Sequence, residues 1–248
     1  METNRKLVIV LLLFSLPLVY LFYKVSRGPA LPKEENTNTQ ARPQNIVGVE
    51  NAARANPTFD NLLNLSVMYI NNEMPERSIG PLQMAISLNP QSAVAQNQLG
   101  VAYIMLQQYQ NGTDALQKAL QIDNRFQPAK ENLEWANYER NRVLLVIKLQ
   151  EQTPVDQRNA AFNMEYGLNY FKIGDYDKSI EIWKKLVEAD QRNSQALVYI
   201  GTALILKKQY NEAFVVFKQV LEIEPGNQVA RKNLAWIIRE KEKLVTGH

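Results

Sequence analysis

Residues 167–186 read GLNYFKIGDYDKSIEIWKKL, and residues 200–225 read IGTALILKKQYNEAFVVFKQVLEIEP. Set with Gly167 over Gly201, they keep one pattern at an offset of 34 residues: Tyr170 over Leu204, Tyr176 over Tyr210, Trp183 over Phe217, Leu186 over Val220. The pattern occurs twice more toward the amino end. Leu99, Gly100 and Tyr103 precede Tyr109, Gly112, Leu116 and Ala119; Leu62, Leu65 and Tyr69 precede Ser78, Leu82, Ala85 and Pro90. Self-similarity at such a period marks a repeat architecture. Each unit reads as two helices of about 12–14 residues that meet closely at small residues. Ser66, Gly100, Gly167 and Gly201 lie on the first helices; Ser78, Gly112 and Ala213 lie on the second. One such hairpin cannot bury its apolar face alone, so hairpins must stack.

The register predicts unit starts at Phe59, Ala93, Gln127, Ala160, Ser194 and Gln228. PAKENLEW (128–135) and VARKNLAW (229–236) share A-x-x-N-L-x-W at a distance of 101 residues. This reads as an internal duplication, in which two units and a further helix occur twice, the second copy closing the array as a capping helix. The third unit is degenerate. No Gly or Pro marks a turn near Asn137–Arg142, and Pro154 is the first stop. Either a second helix lies at about 143–152 or one helix of about 25 residues joins the halves. The apolar run VLLVI (143–147) is expected to be buried either way.

These units resemble the tetratricopeptide repeat over residues 57–243, with a large residue, then L-G-x-x-Y, a small residue, an aromatic or Leu, Ala and a closing Pro. The resemblance implies an all-α superhelical solenoid: four clear repeats, the degenerate third unit and the carboxyl-terminal capping helix. It implies a protein or peptide partner along the inner, concave face of the first helices. Members that grip acidic chaperone tails carry Lys and Asn at set positions of that face. Here those positions hold Leu63, Val67, Gln98, Pro128 and Asn132, then Met164, Leu168, Tyr199, Val229 and Asn233, so that clamp is absent. The partner-binding candidates in the groove are Asn64, Asn97, Gln98, Asn132, Trp135, Tyr199, Asn233 and Trp236. Amides donate to and accept from a peptide backbone at once, and Trp and Tyr supply broad contact area. The Trp residues read equally as core and the Asn residues as solvent-facing. Tyr69, Tyr103, Tyr109, Tyr170, Tyr176 and Tyr210 read as structural packing.

The amino end is different. Residues 1–6 form a short basic start, and residues 7–23, LVIVLLLFSLPLVYLFY, carry no charge. Seventeen residues span roughly 25 Å as a helix, the short end of a membrane span. Lys24 to Pro29 offer no good cleavage site, because Pro29 is a poor residue just after a cut. The segment is therefore expected to be an uncleaved signal-anchor, making a single-pass membrane protein with its body on the extracytoplasmic, periplasmic side; a cytoplasmic body is the alternative. Residues 24–56, rich in Pro, Asn, Gln and charge, read as a flexible linker. The first repeat half then covers 57–152 and the second 153–248.

Composition narrows function. The 248 residues include no Cys and one His, the terminal His248. Thiolate chemistry, disulfides, His-based acid–base chemistry and nearly all transition-metal sites drop out. Of 28 basic and 25 acidic residues, seven and four fall in 1–58, leaving 21 of each over 59–248. A neutral body argues against nucleic acid. No phosphate loop or hydrolase motif occurs. No catalytic residue, metal or cofactor is expected, and no enzyme activity. The expected function is a membrane-anchored scaffold in assembly or biogenesis of an envelope or membrane complex. Two alternatives stand beside it: a chaperone-like holder of exported chains, and a permanent accessory subunit of a larger membrane complex.

Overall fold

The computed structural model describes residues 46–246, with side chains as far as Glu242. Eleven α-helices run in order: α1 Ile46–Ala55, α2 Phe59–Asn71, α3 Pro75–Leu88, α4 Ala93–Met105, α5 Tyr109–Ile122, α6 Gln127–Glu151, α7 Ala160–Lys172, α8 Tyr176–Ala189, α9 Ser194–Leu206, α10 Tyr210–Ile223 and α11 Gln228–Thr246. A single 3-10 turn, Val155–Gln157, precedes α7. The apolar segment 7–23 lies outside the described residues. Among the described residues, no helix is long and apolar enough to cross a membrane.

All six expected unit starts coincide with the first residues of α2, α4, α6, α7, α9 and α11. The cause is local. The residue before five of them accepts a backbone N–H three residues on: Thr58 from Asn61, Ser92 from Ala95, Asn159 from Phe162, Asn193 from Ala196 and Asn227 from Ala230. Each such cap satisfies an orphan donor of the first turn and is worth about 1 kcal/mol. The turns are equally regular. Glu73, Gln107, Gly174 and Lys208 all have positive φ, and each stands fourteen residues after its unit's first residue.

The small residues sit where two helices touch. A Cβ on Gly100 would meet Leu116 Cγ at 2.6 Å, and one on Gly201 would meet Phe217 Cζ at 2.7 Å. A Cβ on Gly167 would run into the Trp183 ring. Trp183 and Phe217 are fully buried, and Trp183 Nε1 donates to the Met164 carbonyl at 3.2 Å.

The described residues form two compact units. One holds α1 to α5 with the first part of α6, apart from residues 108–110; the other holds the rest of α6 through α11 together with those three residues. Leu63, Ile70, Leu82, Ala95 and Val101 centre the first core, and Phe171, Trp183, Leu197, Ile200 and Phe217 centre the second.

Two expectations are corrected. The flexible linker does not extend to residue 56, because residues 46–55 are α1. Ile46, Val49 and Ala53 lie on one face of α1 and pack against Leu65, Tyr69 and Met74. Glu50 accepts from the Tyr69 hydroxyl at 2.7 Å and pairs with Arg77 at 2.9 Å, while Arg77 lies 4.7 Å above the Tyr69 ring.

The apolar run 143–147 is not buried as a whole. Only Ile147 is fully enclosed, against Tyr166, Tyr170 and Ile182; Leu145 is 61% exposed and the nearby Leu149 58%. The cause is that the third unit does not turn: α6 is continuous for 25 residues. Where other first helices carry Gly or Ser against a second helix, α6 carries Glu134, and where three of them carry Tyr it carries Asn137. Such a face gives a returning helix nothing to pack on, and helix-permissive residues carry α6 on to Glu151.

Candidate functional site

The sixth residue of each first helix points about 200° around the helix from the eighth, which meets the second helix. These sixth residues are Asn64, Gln98 and Asn132 in the first half, and Glu165, Tyr199 and Asn233 in the second. Asn64 and Glu165 are exposed; Gln98, Tyr199 and Asn233 are half-buried. The side chains of Asn64, Gln98 and Asn233 make no hydrogen bond among the described residues. Their amides are therefore available to an outside peptide unit.

Two of the groove candidates are not available. Asn97 is 1% exposed and Asn132 is 3% exposed. Asn132 Nδ2 donates to Asn97 Oδ1 at 3.0 Å. Buried amides of this kind need partners inside the fold, and these two supply one another. They are structural, and the expectation that both face a ligand is replaced by that pairing.

The aromatic candidates divide as well. Tyr199 stacks on Trp183 with ring centroids 5.1 Å apart and an interplanar angle of 24°. Trp236 meets Tyr210 edge-on at 5.6 Å and packs on the second core. Trp135 is half-buried on α6. All three are half-buried; Tyr199 and Trp236 are backed by Trp183 and Tyr210, whereas the Trp135 Nε1 is itself buried.

The second compact unit also holds a cluster that sequence reading missed. Tyr170 Oη donates to Glu151 Oε1 at 2.8 Å and lies 3.3 Å from Tyr166 Oη; Asn169 Nδ2 donates to Gln150 Oε1 at 3.0 Å. Burial, and then the hydrogen bonds to Tyr166 and Glu151, push the Tyr170 phenol far above its ordinary range. Arg158 donates to the carbonyls of Thr153 and Glu151 and lies 5.4 Å from the Tyr166 ring centre. These bonds fix the end of α6 to α7. Lys172, at the end of α7, is depressed by burial, with Glu165 acting against that. Among the described residues no group of His, Asp or Glu is placed to hold a metal ion.

Comparison with known sequences agrees with the register. Residues 93–126, 160–193 and 194–227 match the tetratricopeptide repeat. The chain carries tetratricopeptide repeats. It is 31% identical over 100 residues to the small glutamine-rich tetratricopeptide repeat-containing protein 2 of Mycosarcoma maydis, covering 40% of this chain and 25% of that protein. It is 24% identical over 163 residues to the BBSome complex member BBS4 of Bos taurus, covering 62% of this chain and 30% of that one. The chain thus spans less than a third of these relatives. Among solved structures, MamA is 26% identical, with 73% of this chain and 86% of that chain covered at a TM-score of 0.31. YrrB, described as a TPR protein with an unusual peptide-binding site, is 16% identical, with 74% and 96% covered at 0.35.

Proposed function

We propose that this protein is a membrane-anchored tetratricopeptide scaffold that holds a protein partner along its first helices, in assembly or biogenesis of an envelope or membrane complex. One observation carries the reading. The same position of the first helices leaves the side chains of Asn64 and Gln98 in the first compact unit, and of Asn233 in the second, without internal hydrogen-bond partners. Peptide units of an extended segment match an amide's donor and acceptor together. Apolar side chains of that segment have Trp135 to meet in the first compact unit, or Tyr199 and Trp236 in the second. The uncharged segment 7–23, flanked by Arg5, Lys6, Lys24 and Arg27, supports the anchor, and the short basic start followed at once by the apolar run supports a body on the extracytoplasmic side. An anchor raises the partner's effective concentration at the membrane.

A specific observation favours a second reading, the accessory subunit. Leu145 and Leu149 on α6, with Val155 just beyond it, are large, apolar and exposed, as a surface covered in a larger assembly would be.

The test is crosslinking of the full chain in its native membrane, followed by purification and mass spectrometry. The variant Asn64→Ala/Gln98→Ala/Asn233→Ala runs alongside. One dominant partner, lost in the variant, is the expected result and fixes the compartment by its own location. A spread of unrelated exported chains supports a chaperone-like holder instead. A dominant partner kept in the variant but lost in Leu145→Glu/Leu149→Glu supports the accessory subunit.

A further inference from the structure

Two first helices, α6 and α11, have no second helix behind them among the described residues. In the four complete units the eighth residue, Ser66, Gly100, Gly167 or Gly201, is buried. The last three abut a bulky residue of the next helix: Leu116, Trp183 or Phe217. In α6 and α11 the eighth residues are Glu134 and Ala235, and both are exposed. On α6 the surface is polar and bulky, since Asn137 stands beside Glu134. On α11 it keeps the character of a receiving face: a small residue, Ala235, with Ile238 one turn on and 45% exposed.

The rim of that face is mostly positive, although Glu242, exposed one turn beyond Ile238, lies on the same face. Arg231, Lys232 and Arg239 are exposed within one turn of Ala235, and none is in an ion pair among the described residues. We propose that this face of α11 docks an acidic amphipathic helix of a partner protein. That helix sets a bulky apolar residue on Ala235 and Ile238 and turns Asp or Glu toward Arg231, Lys232 and Arg239. The position says helix, because the complete units lay a helix on this face of their first helix. The charge says acidic. A lipid surface fits less well. Interfacial helices bury a broad apolar face, whereas Ile237 and Trp236 of α11 are turned into the core. A second copy meeting α11 with its own α11 would bring six exposed cations together against only two Glu242 carboxylates, a net repulsion.

The probe is a 16-residue helical peptide with Leu and Trp along one stripe and Glu on both flanks; its control is the twin with every Glu changed to Lys. Both are titrated onto the full chain in mild detergent by fluorescence anisotropy. The acidic peptide is expected to bind, and added salt to weaken it. Ile238→Glu and Arg231→Glu/Arg239→Glu are each expected to reduce affinity by about tenfold or more, and the Lys twin by at least as much. Ala235→Glu, at an equally exposed site, guards against a folding artefact in any one variant. Asn64→Ala/Gln98→Ala/Asn233→Ala leaves this binding unchanged, which separates it from the groove. Equal binding of the two peptides overturns the proposal, as does no binding, or binding lost only in the groove variant. So does uptake on phosphatidylcholine–phosphatidylglycerol vesicles that Arg231→Glu/Arg239→Glu abolishes without any peptide binding. A dimer abolished by Ile238→Glu overturns it in favour of a second copy.

Discussion

Residues 128–135 and 229–236 share A-x-x-N-L-x-W, yet the two asparagines do different things. Asn132 is buried and bonded to Asn97, while Asn233 is half-exposed with no internal hydrogen bond. The difference is made elsewhere. The residue 101 positions after Asn97 is Val198, which offers no acceptor. One substitution in the neighbouring helix frees an amide in the second copy that is locked in the first. A recurring motif therefore does not guarantee a recurring role, because hydrogen bonding is settled by the residue opposite.

The covered and uncovered first helices give the largest expected contrast. Gly201→Leu forces a branched side chain into Phe217, where even a Cβ comes within 2.7 Å. We expect a loss of about 3 kcal/mol or more and the disappearance of the second half's cooperative melt by circular dichroism. Ala235→Leu, at the equivalent place on α11, is expected to change stability by less than about 0.5 kcal/mol. An unchanged melt for Gly201→Leu would refute the register itself.

The two asparagines come next. Asn132→Ala leaves Asn97 buried without a partner and is expected to cost about 2 kcal/mol in chemical denaturation. Asn233→Ala is expected to cost a few tenths at most. Replacing both Asn97 and Asn132 by Leu should recover most of the single-variant loss, since no orphan amide remains. Equal costs at Asn132 and Asn233 would erase the distinction between the halves.

These contrasts show what the sequence alone made legible. The six helix starts could be read because each rests on short-range signals: a polar cap, a small residue and an aromatic at fixed spacing. The Asn97–Asn132 bond was out of reach, because it joins residues 35 apart whose types alone do not reveal that they face one another. Helix α1 was hidden by its neighbours: ten residues after a Pro- and Asn-rich stretch give a weak periodic signal, although Ile46, Val49 and Ala53 share a face. The continuity of α6 was left open for want of a Gly or Pro. The signal that decides it was present in Glu134 and Asn137, which spoil the receiving face.

Alkaline pH offers a smaller contrast. Burial, reinforced by Glu139 and opposed by Arg142, pushes the Tyr109 phenol up to about 12. An unfolded tyrosine ionises near 10, so above that pH the unfolded state holds fewer protons than the folded one. The stabilisation is fully present below about pH 10 and is lost as pH rises toward about 12. We expect wild type to lose about 1–2 kcal/mol more over that window than Tyr109→Phe. Identical pH profiles in urea melts would place Tyr109 in water.

The turns give the smallest effect and the most local test. Lys208 has a φ of 61° at its unit's turn, a conformation that costs a residue with a Cβ roughly 1 kcal/mol. Asn141 holds the same register position but lies inside α6. Lys208→Gly removes the steric cost and adds some freedom to the unfolded chain, for a net gain of a few tenths of a kcal/mol. Asn141→Gly places glycine in a helix interior and is expected to lose about 0.5 kcal/mol. The opposite signs matter more than the sizes. If Asn141→Gly stabilised the protein in the same melts, residue 141 would be at a turn, and the third unit would be a hairpin rather than the single helix that separates it from its neighbours.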